Sequence, residues 1–233
     1  MEESESQVSS RILKELESVK EKRGYLMPHH GLLALTAPNL LNGYDACYSA
    51  LTLQNRELCE REKEFVWLGI LAVKQEHLAT QHLTKYLQAG GEIADITVAV
   101  RIASFAMGTD IYSFAERYWN DKVKTLSAQD AYFESLKLLY KETNISTRLI
   151  QLTMCAIHTS IKNWSALAWH IENAYSLEIP EKHIAEALTY SMFTGSIPNF
   201  IEGCGVWQKM IKDQKVNASP EFIAWASIDQ LGP

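Results

Sequence analysis

The sequence predicts an all-α protein, and three observations support this fold class. Proline and glycine are scarce, with six and eleven among 233 residues, and they fall between periodic segments, as helices require. Apolar or small residues recur at helical spacing, for example at Phe65, Leu68, Gly69 and Ala72. Apolar residues make up 47% of the chain and charged residues 21%, which is near the globular average and sufficient for a buried core.

The first predicted helix spans residues 9–20, and it is followed by an irregular entry loop from 24 to 38 and a second helix at 39–51. Residues 60–75, 76–89 and 93–107 are predicted as the next three helices. Gly90 and Gly91 end the second of these and Gly108 ends the third, because glycine tolerates the left-handed conformation that stops a helix. Asp110 then caps a helix that reaches about residue 119.

The same order of segments begins again near residue 128, with helices predicted at 128–141, 146–161, 164–175, 180–193 and 198–210. A shift of 88 residues indicates an internal repeat, because it aligns identical residue types: His82 with His170, Ile96 with Ile184, Ala99 with Ala187 and Phe105 with Phe193. The predicted organisation is an N-terminal helix and entry loop (1–38), a first helical repeat (39–120), a second helical repeat (128–212) and a C-terminal tail (213–233). The two repeats are expected to pack as one compact unit.

The composition argues against several classes of protein. A net charge of −6 disfavours nucleic-acid binding, because no basic excess is present to neutralise phosphates. The sequence has no run of about 18 apolar residues, which is the length that a membrane-spanning helix needs. The acidic N-terminus is not typical of a secretory signal. A cytoplasmic protein is therefore expected. The four cysteines form no Cys-x-x-Cys pair and are expected to be reduced: Cys47, Cys59, Cys155 and Cys204.

Two stretches of the chain carry a resemblance to a known family. The first stretch is REKEFVWLGILAVKQEHLATQH, which ends at His82. The second stretch begins at Asn163 with NWSALAWHIENAY. It continues with PEKHIAEALTY from Pro180 and with GSIPNF from Gly195. This order of opening helix, histidine-bearing helix, further helix and Gly/Pro turn resembles the carboxymuconolactone decarboxylase and alkylhydroperoxidase D superfamily. The resemblance covers residues 40–118 and 130–210 and is similar to the tandem-repeat members.

The resemblance implies a fold of two tandem helical units and a homo-oligomer, with a trimer of tandem chains favoured. Peroxidase members carry Cys-x-x-Cys-x-x-x-His, but this chain has Gln75 and Leu78 at the cysteine positions of the first half and Asn163 and Ala166 in the second. Thiol peroxidase chemistry is therefore not expected, because it needs a thiolate at those positions. The decarboxylase branch keeps the histidine and an acidic residue four positions before it, where this chain has Leu78 and Ala166.

His82 and His170 are the candidate catalytic residues, since each lies on the apolar stripe of its helix. An imidazole near an apolar pocket stays neutral and can accept a proton. The alternative is that each histidine is structural and forms a hydrogen bond to one buried partner in the core. The resemblance implies an acidic relay on the preceding helix, for which Glu64 is the first candidate and Glu62 the second. The alternative for both is a solvated helix N-terminus, where acids are favoured by the helix dipole.

Several aromatic residues are candidates for substrate binding, although most aromatic side chains in such a chain pack in the core: Trp67, Tyr86, Tyr112, Trp169 and Tyr190. Adjacent His29 and His30 have no carboxylate cluster beside them, so no metal site is expected. The chain has no glycine-rich phosphate loop and no dinucleotide motif, and no cofactor is expected.

Three functions remain open from the sequence. The first is a cofactor-free enzyme that uses histidine acid–base catalysis on a lactone or aromatic-derived acid, by decarboxylation, isomerisation or ring opening, as the resemblance implies. The second is a redox enzyme without the usual dithiol, and the third is a non-catalytic ligand-binding or assembly protein on the same fold. The expected partners are a small-molecule substrate and further copies of the chain.

Overall fold

The computed structural model describes residues 4–124 and 127–228. The described part is all-helical and contains no strand, which confirms the predicted fold class. No helix in this part of the chain is both long and apolar enough to cross a bilayer. The last five residues of the predicted C-terminal tail lie outside the described residues. The chain divides into two compact units, one ending at Asn55 and one beginning at Arg56.

The first unit contains helices α1 (Glu5–Arg23), α2 (Pro28–Thr36) and α3 (Pro38–Tyr48), and a π-helical segment follows at Ser49–Leu53. Its small core is formed by α1, α2 and α3. Helix α2 occupies the stretch that the sequence predicted as an irregular loop, so that prediction was wrong. The physical reason is that Pro28 stands at the first helical position, where no backbone N–H is needed, and His30 Nδ1 accepts the N–H of Met27 at 3.0 Å as a cap.

The second unit contains eleven further helices in the described residues: α4 (Glu60–Lys74), α5 (Gln81–Gln88), α6 (Ile93–Met107), α7 (Thr109–Tyr118), α8 (Ala128–Leu138), α9 (Thr147–Ile161), α10 (Trp164–Ser176), α11 (Glu181–Thr189), α12 (Ser191–Thr194), α13 (Ile197–Lys212) and α14 (Pro220–Ser227). Residues 39–55, which the sequence analysis grouped with the first repeat, lie in the first unit.

Helices α4 and α9 form the centre of the second unit and pack against each other. Both are buried on almost all sides. Helix α4 carries a continuous run of apolar or small residues from Phe65 to Val73, whereas α9 also buries polar side chains, such as Gln151 and His158. The two helices approach closely at Gly69, where a Cβ atom would lie 2.5 Å from Cγ2 of Thr153. Side chains on either helix are therefore placed deep inside the protein.

Helix bounds recur at a spacing of 87 or 88 residues. Helices α4 and α9 begin at Glu60 and Thr147, and left-handed residues at positions 75 and 162 follow their last residues. Helices α6 and α11 begin at 93 and 181, and α7 and α13 begin at 109 and 197. These bounds agree with the predicted repeat, which remains a prediction.

Several predicted helices differ from the structure: α1 spans Glu5–Arg23, not 9–20, α3 ends at Tyr48, not 51, and α8 ends at Leu138, not 141. Helix α5 begins only at Gln81, because residues 78–80 form a turn and residues 76 and 77 are not helical. Helix α10 begins directly after Asn163, whose side chain accepts the N–H of Ala166. The helix predicted at 180–193 is interrupted at Tyr190, which separates α11 from α12.

Candidate functional site

The first histidine site joins helices α4 and α5. Glu64 Oε2 lies 2.5 Å from Nδ1 of His82, and both side chains are buried, with His82 only 2% exposed. Trp67 lies one helical turn after Glu64, and its ring stacks on the imidazole at a centroid distance of 4.8 Å and an angle of 22°. The sequence therefore identified a histidine, its acidic partner and an aromatic neighbour that the structure brings together.

The same site keeps unused polar atoms. Glu64 Oε1 and Trp67 Nε1 are buried and have no hydrogen-bond partner among the described residues, and no described group bonds to Nε2 of His82. A carboxylate that accepts the Nδ1–H of an imidazole fixes the tautomer whose Nε2 carries a lone pair. It also stabilises the imidazolium that forms when Nε2 takes a proton. The pair can therefore act as an oriented general base.

A second carboxylate lies beyond Trp67. The ring of Tyr190 is 5.4 Å from that of Trp67, and its hydroxyl donates to Oε1 of Glu186. Glu186 Oε2 accepts the backbone N–H groups of Glu57 at 2.6 Å and Leu58 at 3.0 Å. Burial raises the pKa of Tyr190, so the phenol keeps its proton. Tyr190 therefore lies at the edge of the His82 site, where it binds a carboxylate that the sequence analysis did not single out.

Two other candidate residues make contacts elsewhere. Glu62 pairs with Arg148 on α9 and accepts the backbone N–H of Cys59. The hydroxyl of Tyr86 donates to Asp95 at 2.6 Å, and Arg61 lies 3.4 Å from the same carboxylate. These contacts tie α4 to α9 and α5 to α6.

The second histidine site joins α8, α9 and α10. His170 Nδ1 lies 2.6 Å from Oε1 of Gln151, and His170 Nε2 lies 2.7 Å from the hydroxyl of Tyr132. The same hydroxyl is 3.0 Å from Nε2 of His158. Since Oε1 of an amide only accepts, Nδ1 of His170 is the donor to Gln151. Tyr132 then donates to Nε2 of His170 and accepts from Nε2 of His158, so both ring nitrogens of His170 are occupied.

Both histidines of this second site are held neutral. Burial lowers the pKa of His158 to about 3, and burial together with the neighbouring His158 lowers the pKa of His170 well below its usual value. Burial also raises the pKa of the Tyr132 phenol. His158 Nδ1 is buried and has no partner among the described residues. The second site is thus an uncharged network without a carboxylate.

Candidate aromatic residues surround this network. The rings of Tyr112 and Trp169 lie 5.5 and 5.6 Å from that of Tyr132, so the structure brings Tyr112, Trp169 and His170 together. Sequence analysis missed Tyr132, His158 and Gln151. Gln151 could have been found, because it lies 87 residues after Glu64, whereas nothing in the sequence pointed to Tyr132 at the centre.

An open apolar groove lies on the helices that carry the first site. We call it the α4–α5–α6 groove; its volume is about 220 Å³, and it is lined by Leu68, Leu71, Ala72, Gln75, Glu76, His77, Thr80, Leu83, Ile96, Ala99 and Val100. His82 does not line the groove, but the next residue, Leu83, does. No group of three or more His, Cys, Asp or Glu in the described ranges is arranged to hold a metal ion.

Comparisons with models of known protein families, with curated proteins and with solved structures found no match to this chain. The family resemblance therefore remains a prediction that rests on the residues quoted for it.

Proposed function

We propose that this protein is a cofactor-free acid–base enzyme of the carboxymuconolactone decarboxylase-like type, acting on a lactone or an aromatic-derived acid. The observation that carries the proposal is the buried pair of Glu64 and His82. Among the described histidines, only His82 binds a carboxylate through one ring nitrogen while the other ring nitrogen has no described partner. His82 is the base in this proposal, and Glu64 positions it.

The proposed step is a proton transfer at carbon. Nε2 of His82 takes a proton from a carbon next to a carbonyl group, and the electron pair of the C–H bond moves into the carbonyl to form an enolate. Glu64 stabilises the imidazolium while it exists. Return of the proton to a different carbon completes an isomerisation. In a decarboxylation, loss of CO₂ forms the enolate, and a protonated His82 supplies the proton to carbon.

The tandem-repeat architecture, the trimeric homo-oligomer and the cytoplasmic location belong to the same proposal. The recurrence of helix bounds at a spacing of 87 or 88 residues supports the tandem repeat. Exposed apolar side chains on α6 and α7 support the homo-oligomer.

The test uses a panel of γ-lactone acids and aromatic-derived carboxylic acids in D₂O. Exchange of the C–H proton and loss of CO₂ are followed by ¹H NMR with the protein, with His82→Gln and with His170→Gln as the matched control. Exchange that His82→Gln abolishes and His170→Gln retains supports the proposal. Exchange that both variants retain contradicts it.

A non-catalytic binding protein is the second candidate, because His82 is only 2% exposed and does not line the α4–α5–α6 groove. Saturable binding of panel members without exchange or CO₂ loss would favour it. A redox enzyme would instead lose activity when its thiols are alkylated.

A further inference from the structure

Helix α13 fills an apolar surface in the second half of the chain. It packs on α9 and α10, and its close approach depends on Gly203, where a Cβ atom would lie 2.9 Å from Cγ2 of Thr159 and 3.5 Å from the side chain of Leu167. Ile171 on α10 and Leu188 on α11 are consequently buried, at 0% and 1% exposure. Helix α13 therefore covers the surface between α9 and α10, and a separate apolar pocket of about 310 Å³ lies at its edge, lined by residues of α11, α13 and α14.

The corresponding surface of the first half is open. The residues 87 or 88 positions before Thr159, Ile171 and Leu188 are Ala72, Leu83 and Val100, and all three line the α4–α5–α6 groove. Val100 is 52% exposed. The groove therefore occupies the position where the second half holds α13.

The helix that corresponds to α13 is α7, which begins 88 residues earlier. Helix α7 turns one face to α8, where Tyr112 contacts Tyr132 and Glu116 accepts the N–H of Ala128 at 3.0 Å. A second face of α7 continues into the turn that follows the helix. The residues on this face lie 88 positions before residues that α13 buries: Ile111, Ala115, Trp119 and Val123 correspond to Asn199, Gly203, Trp207 and Ile211. Ile111 is 71% exposed and Trp119 is 54% exposed.

Each chain therefore has an apolar groove, the α4–α5–α6 groove, that no helix of the same half fills. It also has an exposed apolar face on α7 that packs against no groove of the same half. From this we infer that the α4–α5–α6 groove binds α7 of a second copy of this chain, with Ala115 of that copy against Ala72. The small side chain of Ala115 stands where Gly203 permits close packing in the second half. Every copy donates one α7 and accepts one, so both a reciprocal pair and a closed ring, including the trimer expected from the sequence, satisfy all grooves.

The direct test is a disulfide between two copies. Ala72→Cys and Ala115→Cys are made in separate chains of different tag, each with exposed Cys47 and Cys59 replaced by Ser. On mixing and mild oxidation, a covalent heterodimer should form, and neither chain alone should give it. In the matched control, the chain with Ala115→Cys is replaced by one with Leu138→Cys, at an exposed position of α8. This control pair should form at least about 10-fold less covalent heterodimer.

Two further outcomes decide the inference. Trp119→Glu and Val100→Glu should each lower the mass measured by light scattering to that of a monomer, while Leu138→Glu should leave it unchanged; circular dichroism shows that each variant is folded. A wild-type monomer at tens of micromolar would overturn the inference. So would an assembly that persists without the heterodimer crosslink, because it would use another surface. The inference rests on the tandem repeat of the proposed function, whereas its test is independent of the proposed acid–base chemistry, so the two can fail separately.

Discussion

Glu64 and Gln151 make the same contact in the two halves of the chain: each places a side-chain oxygen on Nδ1 of a buried histidine, at 2.5 and 2.6 Å. The two residues lie 87 positions apart, on α4 and α9. Only Glu64 brings a negative charge, so only its histidine gains an electrostatic partner on protonation. The difference between a carboxylate and an amide therefore separates a candidate active site from a neutral network.

Exchange of the two residues tests this distinction. Glu64→Gln keeps an acceptor for Nδ1 of His82 but removes the charge that stabilises an imidazolium. Turnover of the substrate found in the panel should fall by about 10²- to 10⁴-fold. Gln151→Glu should leave turnover unchanged and lower the melting temperature, because it buries a charge without a cationic partner. Equal turnover of wild type and Glu64→Gln would show that the carboxylate has no role in the reaction.

Removal of each histidine should separate rate from stability. His170→Ala leaves Tyr132 and Gln151 without their buried partner and should cost about 2–4 kcal/mol of unfolding free energy. His82→Gln retains a polar group opposite Glu64 and should cost less, yet it should lower turnover by about 10²- to 10⁴-fold. Urea unfolding and the NMR assay report the two effects separately. A folded, inactive His170→Ala beside an active His82→Gln would place the active site in the other half.

The sequence predicted helices well where apolar periodicity and clear stop residues coincide. Helix α6 has the predicted bounds of 93 and 107, because its apolar face is continuous and Gly108 follows it. Helix α2 was missed because a short segment that starts at proline resembles a loop, and its cap comes from a histidine, His30.

The candidate site was only partly predictable. His82 could be chosen from its apolar surroundings, whereas Glu64 follows from the family resemblance, which implies an acidic residue on the preceding helix. Gln151 could be reached only through the repeat, as the residue 87 positions after Glu64, and His158 required the packing of α9 against α10. Tyr132 bonds to histidines 26 and 38 residues away, and no local pattern encodes contacts of that separation.

The neutral histidines of the second site should make the protein sensitive to acid. In the folded protein burial lowers the pKa of His158 to about 3, whereas in the unfolded chain it titrates near 6.5. The unfolded state therefore binds more protons below about pH 6.5, and stability falls as pH decreases from there toward 3, by about 1.4 kcal/mol per pH unit for each such proton.

Replacement of His158 tests the source of this slope. His158→Leu, which introduces the residue found at the corresponding position 71, should flatten the dependence of unfolding free energy on pH between about 4 and 6. Exposed His77→Leu is the control and should leave the slope unchanged. Identical slopes in wild type and His158→Leu would show that His158 is not held neutral in the folded protein.

The thiols should react at very different rates. Cys47 and Cys59 are exposed, whereas burial raises the pKa of Cys155 and raises that of Cys204 to about 11. Since the thiolate is the reactive form, an aromatic disulfide reagent should label Cys47 and Cys59 first and Cys155 only on unfolding.

A variant with all four cysteines replaced by Ala should lose stability and keep the panel reaction. The reduced wild-type protein should not turn over hydroperoxides with dithiol reductants. Peroxidase activity that disappears in the cysteine-free variant would instead favour the redox alternative.

Gly69 provides a test of the central helix pair. In most helices Gly→Ala adds about 0.5–1 kcal/mol of stability. Gly205→Ala should do so, because no atom beyond its neighbouring residues and the nearby backbone of its own helix lies within 4 Å of the added Cβ. Gly69→Ala should instead lose about 1–3 kcal/mol, since the new methyl would lie 2.5 Å from Cγ2 of Thr153 and 3.1 Å from Cδ1 of Ile157.

Rescue by a second substitution makes this prediction specific. Thr153→Ser removes Cγ2 and keeps the hydroxyl that donates to the Leu149 carbonyl at 2.7 Å. In the double variant, Gly69→Ala should therefore cost less than it does alone, and a double-mutant cycle from urea unfolding measures the coupling. A stabilising Gly69→Ala, equal to Gly205→Ala and uncoupled from Thr153→Ser, would mean that α4 and α9 do not meet at Gly69. In that case the placement of Glu64 and Gln151 on two facing helices would also fail.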